Sequence, residues 1–371
     1  MSSFLEGKYH LRRDPFPTNV ATTEDPMVGR DKEYAAWKQI INRYKGENTN
    51  SLNFIIGDYG VGKTLALYKI KEHVEHNSAI QPIFMRLLPE DKISRFGQLF
   101  IQRIFARIDF QKLRFSKAAV KTLSAALPEE AVVLRKASEG DQLAVQLLRG
   151  DGNLSKPEMA TVGTRRKINS TDAAIRYWLS YLMLLKSTGV DTVVLLIDEV
   201  EYVFSQMKGV AGVSMVFNTL RELHDLNNMP QPVSLNKSNV IFFFAVSEDG
   251  WRNINTIQKR ERSQGGPMNP FLRRISTTTT LKRLTEAEAR ELIQLRLSEQ
   301  RTGSRPSKPL IPFTERFVSF IYKLSAGVPH FIVSYCHEIL HNGLEESVPL
   351  LTEEYAKKVL REVGLYVENP D

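Results

Sequence analysis

Gly57-Asp58-Tyr59-Gly60-Val61-Gly62-Lys63-Thr64 decides how the rest of this chain is read. The octapeptide fits G-x-x-x-x-G-K-[ST] in full, follows the apolar run Leu52–Ile56 and leads into a helical pattern from about Lys63. Its glycines let backbone N–H groups close around phosphates with no side chain in the way, and a helix N-terminus adds partial positive charge. Lys63 is the expected cation for the β- and γ-phosphates of ATP, and the Thr64 hydroxyl an expected Mg2+ ligand.

The second half of such a site reads Val193-Val194-Leu195-Leu196-Ile197-Asp198-Glu199. A buried strand that ends in two carboxylates is costly unless they meet a cation or water. The carboxyl edge of an open α/β sheet is where ligands bind. Asp198 is therefore expected to hold Mg2+ through water, and Glu199 to orient and polarise the attacking water. An adjacent carboxylate base marks a hydrolase rather than a kinase. Glu201 is either a further acid of the site or a solvated residue at a helix start.

Working outward, Leu52–Ile56, Ile83–Leu88, Thr192–Ile197 and Val240–Val246 are continuous apolar runs bounded by turn residues, as strands of a buried parallel sheet are. Ser276–Leu281, weaker and β-branched, reads as a fifth. Helical patterns lie between them, which predicts an α/β domain over residues 1–283. From Thr285 only helices are expected, over 284–371: one capped by Thr285 with Glu288, one from near Thr314, one opening at Pro329 and one from Thr352. The stretch at about 109–170 reads as a helical or irregular insertion. It carries Lys112, Arg114, Lys117, Lys121, Arg135, Lys136, Arg165, Arg166 and Lys167.

Composition narrows the class. Of 371 residues 42% are hydrophobic and 25% charged, ordinary for a globular chain with a real core. The single cysteine, Cys336, excludes an internal disulfide and a thiolate zinc site. No leader and no membrane span is expected, so the chain is read as cytoplasmic. The formal charge of +8 favours an acidic partner such as nucleic acid over a merely basic surface.

Four further segments resemble those of AAA+ ATPases. Met27-Val28-Gly29-Arg30-Asp31-Lys32-Glu33 looks like the segment that lies beside the adenine in the origin-recognition and STAND-related branches. Ile241-Phe242-Phe243-Phe244-Ala245-Val246-Ser247 is similar to their sensor-1 strand; the resemblance makes Ser247 its polar tip, where Asn or Thr is usual. Pro270-Phe271-Leu272-Arg273-Arg274-Ile275 resembles the segment that presents an arginine finger to a neighbouring subunit, and leaves Arg273 and Arg274 as alternatives. Gly327-Val328-Pro329-His330 sits where the lid usually reads Gly-x-Pro-Arg, so the resemblance implies that His330 faces the nucleotide. A neutral imidazole brings no permanent charge, and a structural role for His330 stands beside the sensing one. Within the branch, Leu147-Leu148-Arg149-Gly150-Asp151, Arg165-Arg166-Lys167-Ile168-Asn169 and the long helix through Trp178 and Leu185 look like the ATP-binding proteins of BREX-type phage-defence systems.

The resemblance implies an oligomeric, duplex-DNA-associated ATPase of prokaryotic defence or mobile-element control, using ATP and Mg2+ and working with a helicase or nuclease. A replication-initiator relative is the first alternative, against which too few residues are expected after the third lid helix for a winged-helix DNA reader. The other alternative is a nucleotide-gated scaffold with negligible turnover.

Overall fold

The computed structural model describes residues 5, 7, 9–18, 22, 24–87, 95–205, 210–226, 236–262, 268–302 and 309–367. The chain forms two compact units: Tyr34–Ile56 with Leu67–Thr280, and Met1–Glu33 with Gly57–Ala66 and Leu281–Asp371.

The first unit holds a five-stranded parallel sheet in the order β2-β3-β4-β1-β5, with β1 Ser51–Ile56, β2 Ile80–Arg86, β3 Thr192–Asp198, β4 Asn239–Val246 and β5 Ile275–Thr280. All five runs read from the sequence are strands here; β2 begins earlier, at Ile80, and its expected end, Leu88, lies outside the described residues. Every residue of β1, β3 and β4 is buried, because helices between strands cover both faces. At the edge, β5 alternates half-buried and exposed, which suits its run of threonines. The amide side chain inside β1, Asn53, is fully engaged. Asn53 donates to the Phe242 carbonyl and the Ser51 hydroxyl at 3.0 and 3.1 Å, and accepts from Thr277 at 2.9 Å. That network fixes β1 between β4 and β5, since an unpaired amide here would cost about 1–3 kcal/mol.

The insertion is helical: Lys117–Ser124, Pro128–Ser138, Gln142–Arg149 and Lys156–Val162. Its ends are set locally. Asp141 accepts from the Leu143 and Ala144 amides, Ser155 and Glu158 form a reciprocal capping box, and Gly150 and Gly163 close helices at φ 73° and 90°. Leu123, Leu134, Leu148 and Val162 are fully buried and join the same core as Phe105, Trp178 and Tyr181. The insertion is thus part of the sheet unit's core.

The second unit has its own core, built by Tyr9, Leu11 and Phe16 with the helices Glu286–Glu299, Glu315–Ser325, Pro329–Glu345 and Glu353–Glu362. The expected start signals are in place. Thr285 and Glu288 form a capping box, Thr314 and Thr352 cap through their hydroxyls, and Pro329 opens the third helix. Among the described residues no helix is long and apolar enough to cross a membrane.

Candidate nucleotide site

β1 ends at Ile56 and the chain turns at once into Gly57–Gly62, from which the helix Lys63–Glu75 begins. Gly60 and Gly62 take φ of 78° and 102°, backbone that a side chain resists. A Cβ on Gly57 would stand 2.6 Å from Val61 Cγ2, so that turn closes only on glycine. Lys63 Nζ donates to the Gly57 and Asp58 carbonyls, both at 3.0 Å, which arches the side chain over the loop. Thr64 lies half-buried in the first helical turn, and the Asp58 carboxylate pairs with Arg283 at 3.1 Å.

Three segments of this unit meet at the loop. Val28 and Arg30 line one small apolar cavity with Val61, Gly62, Leu284 and Pro329. The segment expected beside the adenine and the phosphate loop therefore share a wall. Gly29, at φ 65°, would place a Cβ 2.4 Å from Glu288 Oε1. Arg30 is buried; it donates to the Gly29 carbonyl at 3.1 Å and to the Lys282 carbonyl. Burial pulls its guanidinium pKa down against the opposing pull of Glu33 and Glu288. The His330 amide donates to the Gly60 carbonyl at 3.1 Å, and its ring meets exposed Tyr59 edge-on at 5.6 Å. His330 thus braces the loop through backbone and packing.

The sheet unit carries the carboxylates. Asp198 closes β3 with its side chain 3% exposed, and Arg86, its register partner at the end of β2, reaches its Oδ2 at 3.3 Å. Arg86 went unread in the sequence because nothing local to it marks a site; only the β2–β3 register reveals it. Glu199, half-buried, holds φ 60°, a left-handed backbone that a long side chain rarely adopts. It turns the chain so that the Val200 amide reaches the Ala245 carbonyl at 3.3 Å, tying the turn to β4. Glu201 opens the next helix, and its Oε2 is buried without a hydrogen-bond partner among the described residues. That is unlike a solvated helix-start residue.

Ser247, directly after β4, has a local structural account. Its Oγ accepts from the Gly250 amide at 3.1 Å at the start of the helix Glu248–Arg262, where serine is a favoured cap. Its hydroxyl proton remains a donor. The two arginines separate clearly. Arg274 clamps Asp225 with Nε at 2.7 Å and Nη2 at 2.6 Å, and donates from Nη1 to the Pro270 carbonyl, also at 2.6 Å. Arg273 is exposed in the turn between the helix Met268–Leu272 and β5. Arg165, Arg166 and Lys167 are exposed, with Lys167 reaching Asn153 at 3.4 Å. Lys259 is exposed; the side chains of Arg260 and Arg262 lie outside the described residues.

No protein-family model matches this chain, and no curated protein matches it. Solved structures do. The Aeropyrum pernix ORC1 protein in complex with DNA is 11% identical with TM-score 0.53, over 95% of this chain and 69% of that one. The Aeropyrum pernix ORC2 protein in its ADP form is 11% identical with TM-score 0.51, over 94% and 72%. The CDC6P protein from Pyrobaculum aerophilum is 9% identical with TM-score 0.52, over 93% and 70%. The structural neighbours are thus AAA+ proteins of the origin-recognition and Cdc6 type, and a parallel five-stranded sheet with a helical second unit is the AAA+ fold that this chain carries.

Proposed function

We propose that this chain binds ATP with Mg2+ and hydrolyses it, as an AAA+ switch or motor that assembles on duplex DNA. The observation that carries the reading is Lys63 held 3.0 Å from both the Gly57 and Asp58 carbonyls, at the start of a helix, over a loop whose Gly57, Gly60 and Gly62 positions resist a side chain by contact or by positive φ. In this reading the loop amides and Lys63 bind the phosphates, and Val28, Gly29 and Arg30 flank the base. Thr64 and Asp198 are hard oxygen donors, the kind Mg2+ takes alongside phosphate oxygens. Mg2+ held there would neutralise charge on the phosphates. Glu199 acts as the base for water, and Ser247 offers a hydroxyl donor.

Arg273, exposed and without the clamp that holds Arg274, is the better finger for a neighbouring copy's γ-phosphate. The net charge of +8 and the exposed Arg165–Lys167 cluster support a DNA partner. So does the fold, in that the ORC1 neighbour is a protein seen in complex with DNA. The resemblance of Leu147–Asp151 and Arg165–Asn169 to BREX-type proteins supports phage defence as the setting, with a helicase or nuclease as further partner; a replication-initiator relative is the competing setting.

Steady-state ATP hydrolysis with and without duplex DNA tests the proposal, and stimulation by DNA is the expected result. A second reading, a nucleotide-gated scaffold, draws on Ser247 serving as a helix cap and His330 as a brace. Tight ATP binding with no turnover, with or without DNA, would select it.

A further inference from the structure

Away from the nucleotide loop, the second unit brings three metal-binding side chains together. His337 and His341 stand four residues apart on the helix Pro329–Glu345, hence on one face, with ring centroids 4.2 Å apart. Asp14 reaches them from the N-terminal segment. Its Oδ2 lies 2.6 Å from His337 Nδ1 and 3.1 Å from His341 Nε2, and all three donor atoms fall within 4.8 Å of one another. We propose that Asp14, His337 and His341 form a binding site for a transition-metal dication, zinc above all, that staples the N-terminal segment to this helix.

The geometry suits that ion. Zinc bonds to nitrogen and carboxylate oxygen of about 2.0–2.1 Å, arranged tetrahedrally, put neighbouring ligand atoms about 3.3 Å apart. Both nitrogen–oxygen separations, 2.6 and 3.1 Å, are shorter than that edge, so a small rotamer adjustment that parts the side chains admits the ion. Two imidazoles with one carboxylate favour zinc over magnesium or calcium, which take oxygen ligands. Two histidines at this spacing on a helix are also a known zinc-binding pattern.

The carboxylate is oriented independently of the histidines. Its other oxygen, Oδ1, accepts from the Phe16 amide at 2.8 Å, and a ligand fixed from outside in this way binds metal more tightly. Around it the segment is anchored: Phe16 is fully buried and packs edge-on against Phe313 at 5.7 Å, while Arg296 Nη1 donates to the Pro15 carbonyl at 3.3 Å. The site is therefore built before any ion arrives. Its donors are half-buried, leaving a path for the ion and a water in the fourth position.

The rival account is a plain hydrogen-bonded clamp, with both rings donating to Asp14. The two separate in one experiment on the full chain without a polyhistidine tag. Chelator-stripped protein is titrated with Co2+, followed by its visible absorption, then with Zn2+ as competitor. The expected result is one tetrahedral cobalt per chain, displaced by zinc, and a melting temperature raised by zinc. The double variant His337→Gln/His341→Gln keeps amide donors for Asp14 but loses both ligands. It should melt near the zinc-free wild type and give no tetrahedral spectrum. Asp14→Asn, which removes a direct ligand, should weaken zinc by at least the roughly 10- to 100-fold that loss of an outer-shell partner costs. Wild-type protein that takes up neither ion, or a double glutamine variant that binds them as the wild type does, overturns the site.

Discussion

Glu199 combines two features that normally exclude each other, a left-handed backbone and a long anionic side chain. Such a conformation costs an L-residue about 1–2 kcal/mol, which glycine escapes. Glu199→Gly is therefore expected to raise unfolding stability by about 1 kcal/mol in urea titrations and to abolish hydrolysis. Glu199→Gln, which keeps the shape and removes the base, should bind ATP normally while kcat falls by roughly 100- to 10,000-fold. Unchanged turnover would move the base elsewhere, with Glu201, whose buried Oε2 has no hydrogen-bond partner among the described residues, next in line. Arg274 belongs to the same scale. Burial pushes the Asp225 carboxyl up, but hydrogen bonds from Arg274 and His224 more than offset this and hold it below its ordinary value. A depressed carboxyl contributes stability above its unfolded pKa, near 3.9, and loses it as pH falls through the folded pKa. Arg274→Ala should cost about 2 kcal/mol at neutral pH and lose less further stability on acidification, read by unfolding at several pH values. Arg273→Ala should leave stability unchanged.

At the scale of elements, the helix Glu286–Glu299 and the Val28–Arg30 segment share one side chain. Glu288 Oε2 accepts from the Thr285 amide at 2.7 Å, while its Oε1 stands where a Cβ on Gly29 would go. Gly29→Ala must push Glu288 out of its capping box as well as strain φ 65°, and should cost about 1–3 kcal/mol. Thr285→Ala, which removes the cap alone, should cost about 1 kcal/mol. If the two substitutions proved equal in thermal unfolding, the Gly29–Glu288 contact would carry no energy. Most elements were legible in the sequence because their signals are local. Continuous apolar runs gave the strands, and Thr285, Thr314, Pro329 and Thr352 marked helix starts one turn long. What was not legible is pairing across distance: Arg86 beside Asp198, Arg274 on Asp225, and Asp14 between two histidines far along the chain. Those depend on register and packing, which no local pattern encodes.

For the whole molecule, the candidate nucleotide motifs stand out in the sequence because phosphate binding demands particular residues at fixed spacing, whereas a DNA-binding surface demands only charge. The Arg165–Arg166–Lys167 cluster is accordingly the least specific part of the account. Replacing all three with alanine should weaken duplex-DNA binding evenly across sequences and lower the log–log salt slope by roughly 2.7. An unaltered slope would assign the cluster to a protein interface. Assembly is tested by mixing Arg273→Ala with Glu199→Gln protein. Partial recovery of hydrolysis is expected, since some interfaces pair an intact Glu199 with an intact neighbouring finger. No recovery in mixtures shown to co-assemble would favour a site completed within one chain.

The claim on which all of this rests is that the Gly57–Thr64 loop binds ATP through Lys63. Equilibrium titration of wild-type and Lys63→Ala protein with ATP and Mg2+, alongside turnover of the same samples, tests it most directly. The account predicts saturable binding and hydrolysis in the wild type, and loss of both in the variant with its thermal unfolding unchanged. A Lys63→Ala protein that binds and hydrolyses ATP as the wild type does would contradict it.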